Sequence, residues 1–101
     1  MRNLIQKALK VRQQYKTLER EKYGRSWTPA EIAQGFVGDV GDLQKLVMAK
    51  SGIRDINDVD QKLKHELSDC LWSVIILADE YGIDIESEFK MTMDELEKRI
   101  T

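Results

Sequence analysis

Glu66-Leu67-Ser68-Asp69-Cys70-Leu71-Trp72-Ser73-Val74-Ile75-Ile76-Leu77-Ala78-Asp79-Glu80-Tyr81-Gly82 decides the fold class. With Leu63 just upstream, the apolar residues Leu67, Cys70, Val74, Leu77 and Tyr81 recur three or four positions apart, which is the period of a helix and not the alternation of a strand. Leu71, Ile75, Ile76 and Ala78 widen that stripe, so this helix is expected at the centre of a bundle or in a subunit interface. Gly82 stops it.

The same period extends in both directions along the chain. Downstream, Asp84 is placed to cap a helix whose apolar set is Ile85, Phe89, Met93, Leu96 and Ile100, with Lys98 and Arg99 suited to its C-terminal end. Upstream, the stretch from Ile53 to Val59 reads as a turn-rich connector. Before it, Thr28-Pro29-Ala30-Glu31 has the pattern of a capping box with proline in the first helical turn. That helix presents Ile32, Phe36, Val40, Leu43 and Val47 and ends at Ser51-Gly52. Leu4, Ala8, Val11, Tyr15 and Leu18 define a first helix over about Arg2 to Lys22. There is no strand-like alternation, internal repeat or Gly/Ser-rich linker. The expectation is an all-α, four-helix bundle in a single domain, residues 1–101.

Composition narrows the function classes. Sixteen basic against 18 acidic residues give a net charge of −2, which provides no electrostatic footprint for DNA or RNA. No apolar run approaches the roughly 20 residues that span a bilayer, and Met1 to Lys10 lacks the build of a secretory signal. A cytoplasmic location follows as the expectation. Cys70 is the only cysteine, so an internal disulfide and a thiolate metal cage are both excluded. Any metal would have to be held by oxygen.

Such oxygens are present at helical spacing. Asp39 and Asp42 lie three apart on the second helix, and Glu66 and Asp69 lie three apart on the third, each pair flanking its apolar stripe in the same sense. If the two helices pack antiparallel, four carboxylates converge at the edge of the core, where like charges are unfavourable unless cations neutralise them. An all-oxygen set favours Mg²⁺ or Mn²⁺. The bland alternative is a solvated acidic face. A di-iron carboxylate bundle requires Glu-x-x-His pairs, and the second position of each pair here is Asp. His65 points about 100° away from Glu66 and reads as a surface histidine. Gly35, Gly38 and Gly41 recur inside the second helix, where each costs roughly 1 kcal/mol relative to alanine. They make room either for a ligand or for a neighbouring helix.

Gly38-Asp39-Val40-Gly41-Asp42-Leu43 followed by Glu66-Leu67-Ser68-Asp69 resembles the EExxE and ExxD motifs of the MazG-like nucleotide pyrophosphohydrolases, in the all-α NTP pyrophosphatase superfamily. The likeness extends to Arg25-Ser26-Trp27 and to Ala78 through Ile85, and covers roughly Arg25 to Arg99. ExxD is intact. In EExxE the leading Glu is Gly38 here, and the other two are shortened to Asp39 and Asp42.

The resemblance implies hydrolysis of a nucleoside triphosphate between its α and β phosphates, with Asp39, Asp42, Glu66 and Asp69 holding Mg²⁺ and acting as the catalytic set. Lys45, Lys50, Arg54 and Lys62 lie near the helix ends from which they could reach phosphates, and Lys45 and Lys62 are the substrate-binding candidates among them. Trp27 and Trp72 are candidates to stack on a base, Trp72 alternatively to line a subunit interface, while Phe36 and Cys70 belong to the stripes. A homodimer or homotetramer is expected to complete the bundle, in line with the breadth of the third helix's apolar surface. The competing expectation is a module of the same fold that has lost the reaction and kept an interaction or nucleotide-binding role. Gly38 and the two shortened acids are its support.

Overall fold

The computed structural model describes residues 1–101 and contains four helices: α1 (Arg2–Tyr23), α2 (Pro29–Lys50), α3 (Val59–Glu80) and α4 (Ile85–Ile100). There is no strand, so the fold is all-α as the periodicity indicates.

Local chemistry sets the boundaries. Gly24 ends α1 in the left-handed conformation at φ 77°, its N–H donating to the Arg20 carbonyl, a backbone geometry that glycine adopts without a Cβ penalty. Thr28 opens α2 with a complete capping box: its hydroxyl accepts from the Glu31 N–H, and the Glu31 carboxylate accepts from the Thr28 N–H. Pro29 follows where its missing N–H costs nothing. Thr28→Ala should lower stability by about 1 kcal/mol, seen as a fall of about 4–8 °C in Tm; an unchanged Tm would mean that the box does not hold the helix end. Asp84 caps α4 by accepting from the Ser87 N–H and hydroxyl, and these bonds hold its carboxyl below the usual carboxylate range.

α3 starts at Val59, inside the connector's expected limit, because Val59 continues the stripe one turn ahead of Leu63. Asp58, immediately before it, has φ 55°, a left-handed conformation that aspartate tolerates better than most residues.

Two compact units share the chain. One comprises Trp27–Val74, and the other Met1–Ser26 with Ile75–Thr101. α3 contributes to both. In the first unit Ile32, Leu46 and Ser73 are buried, the apolar ones anchoring α2 along its length. In the second, Ala8, Ile75, Ile76 and Ala78 form the core, and Ile76 is the most enclosed side chain of the chain.

The apolar stripes of α1 and α4 are covered less than their period predicts. Leu4, Tyr15 and Leu18 are exposed, and the buried positions of α1 are Ala8 and Arg12. Arg12 is neutralised by Glu19, its Nη1 lying 3.2 Å from Oε2. No residue of α4 is buried, and Phe89, Met93, Leu96 and Ile100 all face solvent. Periodicity shows which residues share a face of a helix, whereas burial requires a surface to cover that face. No helix is long and apolar enough to cross a membrane.

Candidate functional site

α2 and the first turns of α3 form a hairpin within the Trp27–Val74 unit. A short connector joins them, and the C-terminal Lys50 of α2 meets Asp60 at the start of α3, Nζ to Oδ1 at 2.6 Å. The hydrogen bond and charge of Lys50 hold the Asp60 carboxyl below its ordinary value. Further from the connector, Asp39 and Asp42 of α2 come together with Glu66 of α3. The two helices therefore run antiparallel, and the acids that flank each stripe face one another.

Asp39, Asp42 and Glu66 each offer a carboxylate oxygen within 4.8 Å of the others. Asp39 and Glu66 are half-buried and Asp42 is exposed. Glu66 bears most of the electrostatic cost. Its carboxyl is pushed above the ordinary glutamate range first by burial and then by the charges of Asp39, Asp69 and Asp42. Its Oε1 is buried and accepts no hydrogen bond. A desolvated carboxylate oxygen without a donor, among like charges, is costly unless a cation joins it.

Asp69 stands apart from this trio. Its Oδ2 lies 3.2 Å from His65 Nε2 across one helical turn, and it is not among the three converging oxygens, although its charge reaches Glu66. The expected convergence of four acids is thus three acids and a fourth held nearby. His65 is largely exposed, as its position on the helix indicates. Cys70, half-buried, has its thiol pushed up by burial and by Glu66, Asp39 and Asp69, which keeps it protonated and poor as a nucleophile.

A cavity of about 490 Å³ adjoins the acids, within the range of small-molecule sites. Asp42, Glu66 and His65 are among its lining residues, and Lys45 and Lys62 bring cations into the same space. Trp27 and Trp72 belong to the same unit but do not line this cavity, and Lys50 is engaged with Asp60. Sequence reasoning passed over Leu46, Ile56 and Gln61, which also line it. Gln61 and Lys62 lie four residues before His65 and Glu66, so the spacing that brought the acids forward also places Gln61 on the cavity side. Ile56, in a connector without periodicity, carried no such signal.

The glycines of α2 separate the two readings of their spacing. A Cβ built at Gly35, Gly38 or Gly41 meets nothing within 4 Å, so none of them admits a neighbouring helix of this chain. At Gly38 the space that a glutamate would use stands open.

The donor set is entirely carboxylate, partly buried at Asp39 and Glu66 and mutually repulsive, and it fits a hard divalent cation. No curated protein and no solved structure matches the chain significantly. The model of the MazG nucleotide pyrophosphohydrolase domain matches residues 30–100, taking in α2, the connector, α3 and α4 and hence every acid of the site. The chain therefore belongs to the MazG nucleotide pyrophosphohydrolase family.

Proposed function

We propose that residues 1–101 act as one MazG-like domain that hydrolyses nucleoside triphosphates between the α and β phosphates, giving a nucleoside monophosphate and pyrophosphate. The observation that carries this reading is the convergence of Asp39, Asp42 and Glu66 beside a cavity that also holds Lys45 and Lys62. The three carboxylates hold Mg²⁺, or Mn²⁺ in its place. Asp69, beside His65 one turn along the same helix, would be the fourth acid to hold the cation. The bound cation supplies neutralisation of phosphate charge and a lowered pKa for the attacking water. Lys45 and Lys62 pair with phosphate oxygens, and the two helices fix the phosphate chain against the acids, so that positioning lowers the barrier. Turnover in the cytoplasm on unwanted nucleotides fits this chemistry, as does a homodimer or homotetramer in which the exposed stripes of α1 and α4 are covered.

One observation favours a second reading, a module with weakened or lost turnover that still binds nucleotide. The leading acid of the first motif is Gly38, and no other side chain of this chain fills the space beside it.

The test is pyrophosphate release from a panel of canonical and modified nucleoside triphosphates, with Mg²⁺, with Mn²⁺ and with EDTA. Metal-dependent release with monophosphate as co-product is the expected result. Folded protein that binds nucleotide without releasing pyrophosphate would establish the second reading instead, and release of inorganic phosphate would refute the assigned bond.

A further inference from the structure

The connector between α2 and α3 is tethered at both ends and loose in the middle. Gly52, at φ 81°, and Ile53 donate their N–H groups to the Ala49 and Met48 carbonyls, so the chain up to Ile53 is tied to the end of α2. The Asp58 carbonyl accepts from the Lys62 N–H and so belongs to α3. Between them, Arg54, Asp55, Ile56 and Asn57 take part in no hydrogen bond or ion pair. Of these four only Ile56 is not exposed, and it lines the cavity beside the acids. A short segment held by one half-buried side chain opens locally while the helices around it stay closed.

We propose that Arg54 is a phosphate-binding residue carried on this strap, loose in the free protein and closing on a polyphosphate held in the cavity. The inference rests on the pyrophosphohydrolase reading of the same site. Arg54 is the only cation on the segment, and its Cα lies no more than about 7 Å from that of Ile56. An extended arginine side chain has a comparable reach, so the guanidinium can meet a ligand at the wall that Ile56 forms. Lys50, the cation before it in the chain, is engaged with Asp60. A triphosphate brings more negative charge into the cavity than Lys45, Lys62 and one divalent cation supply, because the carboxylates of Asp39, Asp42 and Glu66 already draw on that cation. A further cation is therefore favourable there, and a guanidinium offers paired donors that bond two phosphate oxygens at once.

The experiment combines limited proteolysis by subtilisin, whose broad specificity does not depend on Arg54, with calorimetry of ligand binding in Mg²⁺. The probes are inorganic tripolyphosphate and the α,β-methylene analogue of deoxyadenosine triphosphate, in which the bridge at the bond to be cut resists hydrolysis. In the free full-length chain the first cuts, located by mass spectrometry, should fall within residues 54–57, and saturating tripolyphosphate should slow them about tenfold or more, as expected when cleavage follows the population of the open segment. Arg54→Gln should bind both probes about tenfold more weakly and lose the protection even when saturated. Its Tm in EDTA should be unchanged, because the side chain engages nothing in the free protein. Arg54→Lys, which keeps the charge and loses the paired donors, should fall between the two. Resistance of residues 54–57 in the free chain overturns the proposal, as does equal protection or equal affinity in Arg54→Gln; in each of these cases the probes still bind and the nucleotide reading stands. If the wild-type chain binds neither probe, the pyrophosphohydrolase reading falls and the inference with it.

Discussion

Glu66→Gln is expected to make the metal-free protein more stable and, at the same time, to reduce Mg²⁺-dependent turnover more than about 100-fold, beyond the 10–100-fold typical of groups that only support a ligand. The two effects have one cause. Without metal, the Glu66 carboxylate is desolvated and faces Asp39, Asp69 and Asp42, with a buried Oε1 that accepts no hydrogen bond. An amide of the same shape carries no charge and can donate to the acids beside it. With metal the sign reverses, because the displaced charge is the one that attracts the cation. Thermal unfolding in EDTA and in Mg²⁺ separates the contributions: wild-type Tm should rise on adding metal, as for any ligand that binds only the native state, and the rise should vanish in Glu66→Gln. A variant that is less stable in EDTA, or whose turnover stays within tenfold of wild type, would remove Glu66 from the site.

The same group gives a pH dependence of defined sign. The Glu66 carboxyl titrates above the ordinary glutamate range in the folded chain, so the folded state binds more protons than the unfolded state between the two values. Stability from this group accordingly falls as pH rises through that interval. Below the ordinary glutamate range both states are protonated and the penalty is absent; above the raised value it is complete. In EDTA, the Tm advantage of Glu66→Gln over wild type should therefore grow with rising pH and level off above the raised value. Mg²⁺ competes with the proton for the same oxygen, so its stabilising effect on the wild-type chain should weaken as the pH is lowered.

Most of the element structure is legible in the sequence because caps and periods are local. The box at Thr28 and Glu31, the glycines that end α1 and α3, and the Asp84 cap all depend on neighbours within a few residues. The pairing of Asp39 and Asp42 with Glu66 is legible for a further reason: a short connector forces the hairpin, and helical spacing then determines which acids can meet. Two features were beyond that reasoning. Asp69 lies against His65 across one turn instead of joining the trio, and spacing alone does not say whether an acid turns to a neighbour on its own helix or to the acids opposite. The exposure of Phe89, Met93 and Leu96 depends on what covers α4, and a hydrophobic period carries no information about the covering surface.

Gly38 is where stability and function can be varied independently. A glycine inside a helix costs roughly 1 kcal/mol relative to alanine, and the Cβ of alanine at this position meets nothing within 4 Å. Gly38→Ala should therefore raise Tm by about 4–8 °C in a domain of this size, leaving pyrophosphate release unchanged because a methyl group neither ligates nor titrates. Gly38→Glu adds to the same backbone gain a carboxylate that can turn toward Asp39 and Asp42. In EDTA the added charge offsets some of the gain by repulsion; in Mg²⁺ it supplies the acid that the first motif lacks, and turnover should rise about tenfold or more. Each contrary result identifies a different occupant of the open space. A lowered Tm in Gly38→Ala would mean that another chain packs against α2 there, since no side chain of this one does. A stabilised Gly38→Glu with reduced turnover would mean that substrate fills the gap, and that the missing acid is an adaptation to a bulkier ligand and not a loss.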